Sequence, residues 1–277
     1  MHYNLGLYEK SMPNALSFKE KLEQTAKAGY DYLELSIDET DEKLKRLDFT
    51  AEDFNALRDA TNETGVPIKS ICLSGHRKYP LGSRNQETRR RSLEIMQKAV
   101  TFASKLGIPI IQLAGYDVYY EEHGEDTKDN FAINLEKAVE MAATEGILLG
   151  FETMETPFLD TVEKAMFWVN KINSSYLHVY PDIGNLTNAA KIYKQNEAND
   201  LMKSLGHTIA VHLKETKPGI YREVPYGEGH VDFDTMCMTA LDMGVRMFVG
   251  EFWHTGEKNW QEILKSNNIF LRKKLGG

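Results

Sequence analysis

The sequence predicts an α/β protein folded as one (β/α)8 barrel, and three observations carry that prediction. A short apolar run followed by an amphipathic stretch recurs eight times along 277 residues, and one such barrel takes roughly 250. Glycine stands between a helical pattern and the next apolar run at Gly29, Gly65, Gly107, Gly146, Gly206 and Gly244, and Asn173 takes that place in the fifth unit. Both residue types accept the left-handed backbone that ends a helix. Finally, four successive runs end on a polar side chain: Glu152, Asp182, His212 and Glu251. The first three are thirty residues apart and the fourth is thirty-nine further on; about thirty residues make one strand-helix unit. Polar residues at the C-terminal ends of strands are where such a barrel keeps its chemistry.

The first strand is Tyr3–Tyr8, and Ser17 with Glu20 forms a capping box for a helix running to Gly29. Tyr32–Ile37 is the second strand, followed by the acidic stretch Asp38–Glu42. Thr50 caps the second helix, which stops at Gly65. Ile68–Leu73 is the third strand, with a long basic loop, Ser74–Ser83, and a helix from about Glu87 to Leu106. The fourth strand is Pro109–Leu113, and its helix ends near Glu145. The fifth strand runs to Glu152, and Asp160–Glu163 caps a helix that ends near Asn173. The sixth strand, Leu177–Asp182, leads to a helix over Ala189–Leu205. Thr208–Leu213 is mostly β-branched or apolar, as a buried parallel strand should be, and carries His212 at its end. Asp232 is the N-cap of the seventh helix, with Val231 and Met236 as a hydrophobic staple. The eighth strand, Arg246–Glu251, precedes a helix over Gln261–Lys274.

No linker or low-complexity segment interrupts this series, so residues 1–277 read as one catalytic domain. A doubly wound open sheet would place a Gly-rich phosphate loop after the first strand. That loop is Glu9-Lys-Ser-Met-Pro13 and lacks the pattern.

Composition narrows the function. Hydrophobic residues make up 42% and charged residues 27%, as in ordinary soluble domains. No apolar run reaches about 18 residues, which argues against a membrane span. The start, Met1-His-Tyr-Asn-Leu, has no basic region or apolar core, so no export signal is expected. Cys72 and Cys237 are too few for a disulfide framework, so reduced thiols and a cytoplasmic location are the expectation. A net charge of −8 argues against a nucleic-acid partner.

Taken singly, each of the four strand ends reads equally well as a polar cap. Matched positions in four units argue for a shared site instead. Three carboxylates and one imidazole form a hard O/N donor set suited to Zn²⁺, Mn²⁺, Mg²⁺ or Co²⁺.

Longer motifs surround these residues. Gly150-Phe-Glu-Thr-Met-Glu155, Tyr180-Pro-Asp-Ile-Gly-Asn185, Val211-His-Leu-Lys-Glu-Thr-Lys-Pro-Gly219, Pro225-Tyr-Gly-Glu-Gly229 and Gly250-Glu251 resemble those of sugar-phosphate 3-epimerases in the xylose-isomerase-like TIM-barrel superfamily. Leu7-Tyr-Glu-Lys10, Ile37-Asp-Glu-Thr-Asp41, Pro80-Leu-Gly-Ser83 and Ile111–Tyr120 extend the likeness over nearly the whole chain. The resemblance implies a metal-dependent isomerase of carbohydrate metabolism. It would interconvert L-ribulose 5-phosphate and L-xylulose 5-phosphate, a step in L-ascorbate degradation. Glu152, Asp182, His212 and Glu251 would hold one divalent ion, zinc or manganese first, with magnesium or cobalt as alternatives. Glu152 and Glu251 would double as the catalytic acid/base pair. Related free-ketose 3-epimerases carry a histidine three residues after the metal aspartate; Asn185 stands there instead, which fits a different, phosphorylated substrate. A homodimer is the family expectation.

The chemistry agrees. Inverting C3 of a 2-ketose removes a proton beside a carbonyl and returns one to the opposite face of an enediolate. A metal at O2 and O3 would hold the developing charge, and two carboxylates can alternate as base and acid. No organic cofactor is needed. The substrate phosphate needs cations: His76, Arg77, Lys214 and Arg222 are the candidates, Arg being well suited. Glu155 is a candidate for a sugar hydroxyl. Tyr116, Tyr119 and Tyr120 either cover the mouth or pack against a partner subunit. A 1,2 aldose–ketose phosphate isomerase, such as a hexulose-6-phosphate isomerase, would use the same enediolate. A sugar sensor would need no paired bases. A zinc-cluster endonuclease would need more strand-end histidines and a basic groove.

Overall fold

The structure, a computed structural model, describes residues 2–277; Met1, where the export-signal reading begins, lies outside the described residues. Local chemistry sets most element ends. Ser17 accepts from the Glu20 N–H while the Glu20 carboxylate accepts from the Ser17 N–H, which starts α1 (Phe18–Lys27) after β1 (Asn4–Tyr8). Thr50 and Asp53 repeat this box ahead of α3 (Ala51–Thr64), which ends on left-handed Gly65. Between β2 (Tyr32–Ile37) and α3 lies a short α2 (Asp41–Leu44), which begins within the acidic stretch Asp38–Glu42. The third and fourth units follow as β3 (Ile68–Leu73), α4 (Gln86–Leu106), β4 (Ile110–Ala114) and α5 (Glu125–Thr144). β5 (Leu148–Glu152) is followed by α6 (Val162–Ile172), capped by Thr161 rather than Asp160, whose carboxylate pairs with Lys164 instead. All six junction glycines and Asn173 have positive φ.

The sixth unit departs most from expectation. β6 (Leu177–Val179) is short, and Pro181 supplies no N–H to extend it. Asp182 caps α7 (Ile183–Tyr193), so the helix begins six residues before the expected Ala189. Lys194 then turns left-handed, and Asn196 caps a separate α8 (Glu197–Met202). One helix over Ala189–Leu205 is therefore wrong. A Lys in the left-handed conformation leaves no mark that hydrophobic periodicity can detect. β7 (Val211–Leu213) is also shorter than expected, and α9 (Phe233–Asp242), β8 (Met247–Gly250) and α10 (Trp260–Lys274) complete the chain.

The strands form one parallel sheet in the order β6-β5-β4-β3-β2-β1-β8-β7. Its two ends meet through single bridges, Val179 to Thr208 and Asp182 to His212, which close the barrel. The main core lies between the outer face of the sheet and the helices. A smaller cluster, including Tyr8, Tyr32, Tyr180 and Val249, fills the interior. Gly6 makes room for it: a Cβ there would lie 2.5 Å from the Tyr32 ring. No helix among the described residues is long and apolar enough to cross a membrane.

Just past β1, buried Glu9 braces the rim. Lys21 and Lys43 donate to its Oε1 at 2.6 and 2.7 Å, Arg46 donates to both oxygens, and the Ser36 N–H donates at 2.9 Å. Burial alone would raise this carboxyl, but Arg46, Lys21 and Lys43 hold it well below the usual range. Glu9→Gln leaves three cations facing a neutral amide, and breaking a buried ion pair costs about 3–5 kcal/mol. Urea unfolding should show a loss of that size; a change under about 1 kcal/mol would mean the cations hydrate without Glu9.

Candidate active site and metal centre

Four different units deliver the strand-end residues to one point. Glu152 is the last residue of β5, His212 lies inside β7, Glu251 follows β8, and Asp182 sits between β6 and α7. One ligand atom from each lies within 4.8 Å of the others, and all four residues are buried. Asp182 owes its pose to helix capping: Oδ1 accepts from the Asn185 N–H at 2.7 Å, leaving Oδ2 for the site. Gly184 allows α7 to start this close to the neighbouring backbone, since a Cβ would lie 2.7 Å from Thr216 and 2.8 Å from the Lys214 carbonyl. His212 places Nδ1 3.3 Å from both Glu152 Oε1 and Glu251 Oε2.

The charges show what these residues can hold. Burial pushes Asp182 and Glu152 above the usual carboxylate range, and the Glu251 charge adds to that. Burial acts on Glu251 in the same sense, but Lys214 and His212 hold it low. Asp182 Oδ2 and Glu251 Oε2 are buried with no well-aligned hydrogen bond, although Lys214 Nζ lies 3.0 and 3.7 Å from them. Buried polar atoms are rarely left so, and three convergent carboxylates carry more negative charge than Lys214 alone offsets. The donor set fits a divalent ion.

A cavity of about 50 Å³ opens above these residues, with Glu152, Glu155, Asn185, Lys214, Arg222 and Trp253 in its wall. A larger hollow of about 450 Å³ lies between α1 and α3, lined by Phe18, Phe49 and Leu57 among others. It contains none of the strand-end residues, so here convergent buried charge, and not volume, marks the site.

The substrate-contact candidates separate. Glu155 accepts from Tyr116 at 2.6 Å and pairs with Arg222 at 3.2 Å. Arg77 stacks its guanidinium 4.9 Å from the Tyr119 ring centroid, and its Nε is buried without a partner. Tyr120 reaches across the mouth to Glu39. Asn185 donates to the Thr153 carbonyl at 2.7 Å and leaves Oδ1 unpartnered beside the cavity. Lys214 lines the cavity and reaches the carboxylates: Nζ lies 3.0 Å from Asp182 Oδ2 and 3.7 Å from Glu251 Oε2. His76 is not brought to the cavity at all. It is buried with Nε2 3.1 Å from the Ser92 carbonyl, and burial lowers it to about 4. Neutral and enclosed, it cannot serve as a phosphate cation, which corrects the expectation for that residue.

Two residues beside the site escaped sequence reasoning. Gln112, on β4, donates to Glu152 Oε2. Glu34, on β2, lies 2.6 Å from His212 Nε2. A signal was present: Tyr32-Leu-Glu-Leu-Ser-Ile37 puts a charge inside an apolar strand, facing the same way as Tyr32 and Ser36.

An eight-stranded barrel carrying a carboxylate-histidine centre at the C-terminal ends of its strands defines a class, the xylose isomerase-like TIM barrels, whose family model matches residues 22–274. The chain belongs to that family, and within it groups with the L-ribulose-5-phosphate 3-epimerases. L-ribulose-5-phosphate 3-epimerase UlaE of Escherichia coli is 41% identical over 266 residues, covering 95% of this chain and 92% of the relative. Among solved structures, D-psicose 3-epimerase with D-tagatose from Clostridium cellulolyticum aligns with a TM-score of 0.81 at 14% identity, over 98% of this chain and 99% of that one. A xylose isomerase-like TIM barrel protein from Mycobacterium smegmatis in complex with magnesium aligns at 0.70 and 15% identity, over 99% and 97%. At these identities the two structures speak to the fold.

Proposed function

We propose that this chain is an isomerase that interconverts L-ribulose 5-phosphate and L-xylulose 5-phosphate by inversion at C3. The observation that carries the reading is the pair of buried carboxylates, Glu152 and Glu251, facing one another across His212 Nδ1 at 3.3 Å each. The similarity to UlaE supplies the substrate. Glu152, Asp182, His212 and Glu251 would hold a divalent ion, zinc or manganese, which when bound polarises the ketose carbonyl as a Lewis acid.

The other roles belong to the chain. One of Glu152 and Glu251 takes the C3 proton from its side of the sugar, and the other returns a proton to the opposite face. Lys214, beside Asp182 and Glu251, lies at the reacting end and donates to the enediolate oxygens. Arg77 and Arg222, further out, are the cations left for the phosphate. Glu155 and Asn185 Oδ1 meet sugar hydroxyls. The cavity is smaller than the roughly 300 Å³ that ligand sites usually offer, so the Arg222–Glu155 pair opens to admit substrate. A cytoplasmic homodimer acting on a small phosphorylated ketose, with no organic cofactor and no nucleic-acid or membrane partner, completes the reading.

The test is incubation of metal-loaded protein with L-ribulose 5-phosphate in D₂O, followed by NMR. Solvent deuterium is expected at C3 of the L-xylulose 5-phosphate formed, because removal and return use different groups. Deuterium at C1 and not at C3 would mean a 1,2-isomerase. Exchange at neither carbon, across pentulose and hexulose phosphates, would mean a binding protein.

A further inference from the structure

We infer that Glu34 is a positioning residue that locks the His212 ring with its proton on Nε2 and its Nδ1 lone pair turned to the metal site. The inference rests on reading His212 as a metal ligand. A neutral imidazole has one N–H donor and one lone-pair acceptor, and its neighbours decide which nitrogen is which. Both His212 nitrogens face carboxylates. Nδ1 lies 3.3 Å from Glu152 Oε1 and 3.3 Å from Glu251 Oε2, while Nε2 lies 2.6 Å from Glu34 Oε1. A proton on Nδ1 would satisfy Glu152 or Glu251 and remove the lone pair from the site. The Nε2 contact is far shorter, so the proton goes to Glu34.

Glu34 is itself held. Its Oε2 accepts from the Ser70 and Tyr180 hydroxyls at 2.7 Å each, and Glu34, Ser70, Tyr180 and His212 have no solvent exposure. The Tyr180 ring also packs edge-on against the imidazole at 4.8 Å. Four strand-helix units therefore converge on one ring orientation: β2 brings Glu34, β3 brings Ser70, β7 brings His212, and Tyr180 follows β6. Glu34 does not line the cavity, so it is not placed to meet substrate itself. A carboxylate behind a ligating histidine fixes its tautomer and strengthens it as a donor, and losing such a partner typically costs about 10–100-fold in metal affinity.

Two variants and two measurements test this. Glu34→Leu removes the acceptor. Glu34→Gln keeps an acceptor oxygen, since the Ser70 and Tyr180 hydroxyls can turn to receive its amide, but removes the charge. Long-range ¹H–¹⁵N spectra of the metal-free proteins, followed to a pH at which the ring is neutral, read the His212 tautomer, and calorimetric titration with Co²⁺ reads affinity. The wild type should show Nε2–H. Glu34→Leu should shift to Nδ1–H and bind Co²⁺ about 10–100-fold more weakly. Glu34→Gln should retain Nε2–H with a smaller loss. The same tautomer and affinity in the wild type and folded Glu34→Leu would overturn the inference. If Glu34→Leu does not fold, Glu34→Gln decides: weaker Co²⁺ binding supports the role, and unchanged affinity overturns it. A wild type that binds no Co²⁺ yet shows the tautomer shift in Glu34→Leu would instead overturn the metal-site reading and leave the positioning of the ring intact.

Discussion

Glu152→Gln and Glu251→Gln should each lower kcat by about 10²–10⁴, the range that a positioned proton transfer contributes. Glutamine keeps the size of the side chain and one oxygen ligand, but it cannot take the C3 proton. Both carboxylates are buried and share one centre, which keeps bulk water from replacing either of them. Affinity for the metal will fall as well, so the assay must be run at saturating metal, where the loss should remain in kcat. The two variants should also differ in kind. Each retains one base, and each should exchange the C3 proton of only the epimer presented to that base, without net inversion. NMR in D₂O with each epimer in turn reads this. Loss of both exchange and inversion with both epimers would place the proton transfers elsewhere.

Removal of the divalent ion should abolish turnover, and Zn²⁺ or Mn²⁺ should restore it. The developing enediolate charge otherwise meets only Lys214, which Asp182 and Glu251 already engage. The same treatment should lower thermal stability. Three buried carboxylates converge there against one lysine, and a ligand at 1,000 times its Kd stabilises the folded state by about 4 kcal/mol. Melting curves with and without added ion measure that shift. Full activity in protein shown by elemental analysis to be metal-free would reject the metal role.

The order of strands and helices was legible because its determinants are local. The Ser17–Glu20 and Thr50–Asp53 boxes, the positive-φ glycines and Asn173 act within one helical turn. The same logic fails at Lys194, where a residue with no left-handed preference ends α7. It also fails at Asp182, which the sequence marks as a strand end but which acts as a helix cap as well.

By itself, then, the sequence determined eight strand-helix units and a polar residue at four matched strand ends, because side-chain period, caps and spacing are written in neighbouring residues. Only the tertiary structure decided which polar residues meet. Closing the barrel brings Glu34 to His212 across 178 positions and sets Lys214 against Asp182. It also encloses His76 against the Ser92 carbonyl, although its loop reads as long and basic. Sequence spacing predicts the height of a residue along its strand. The direction it faces, and the partner it finds, depend on strand register, twist and the shape of the interior, which are settled only when all eight strands pack.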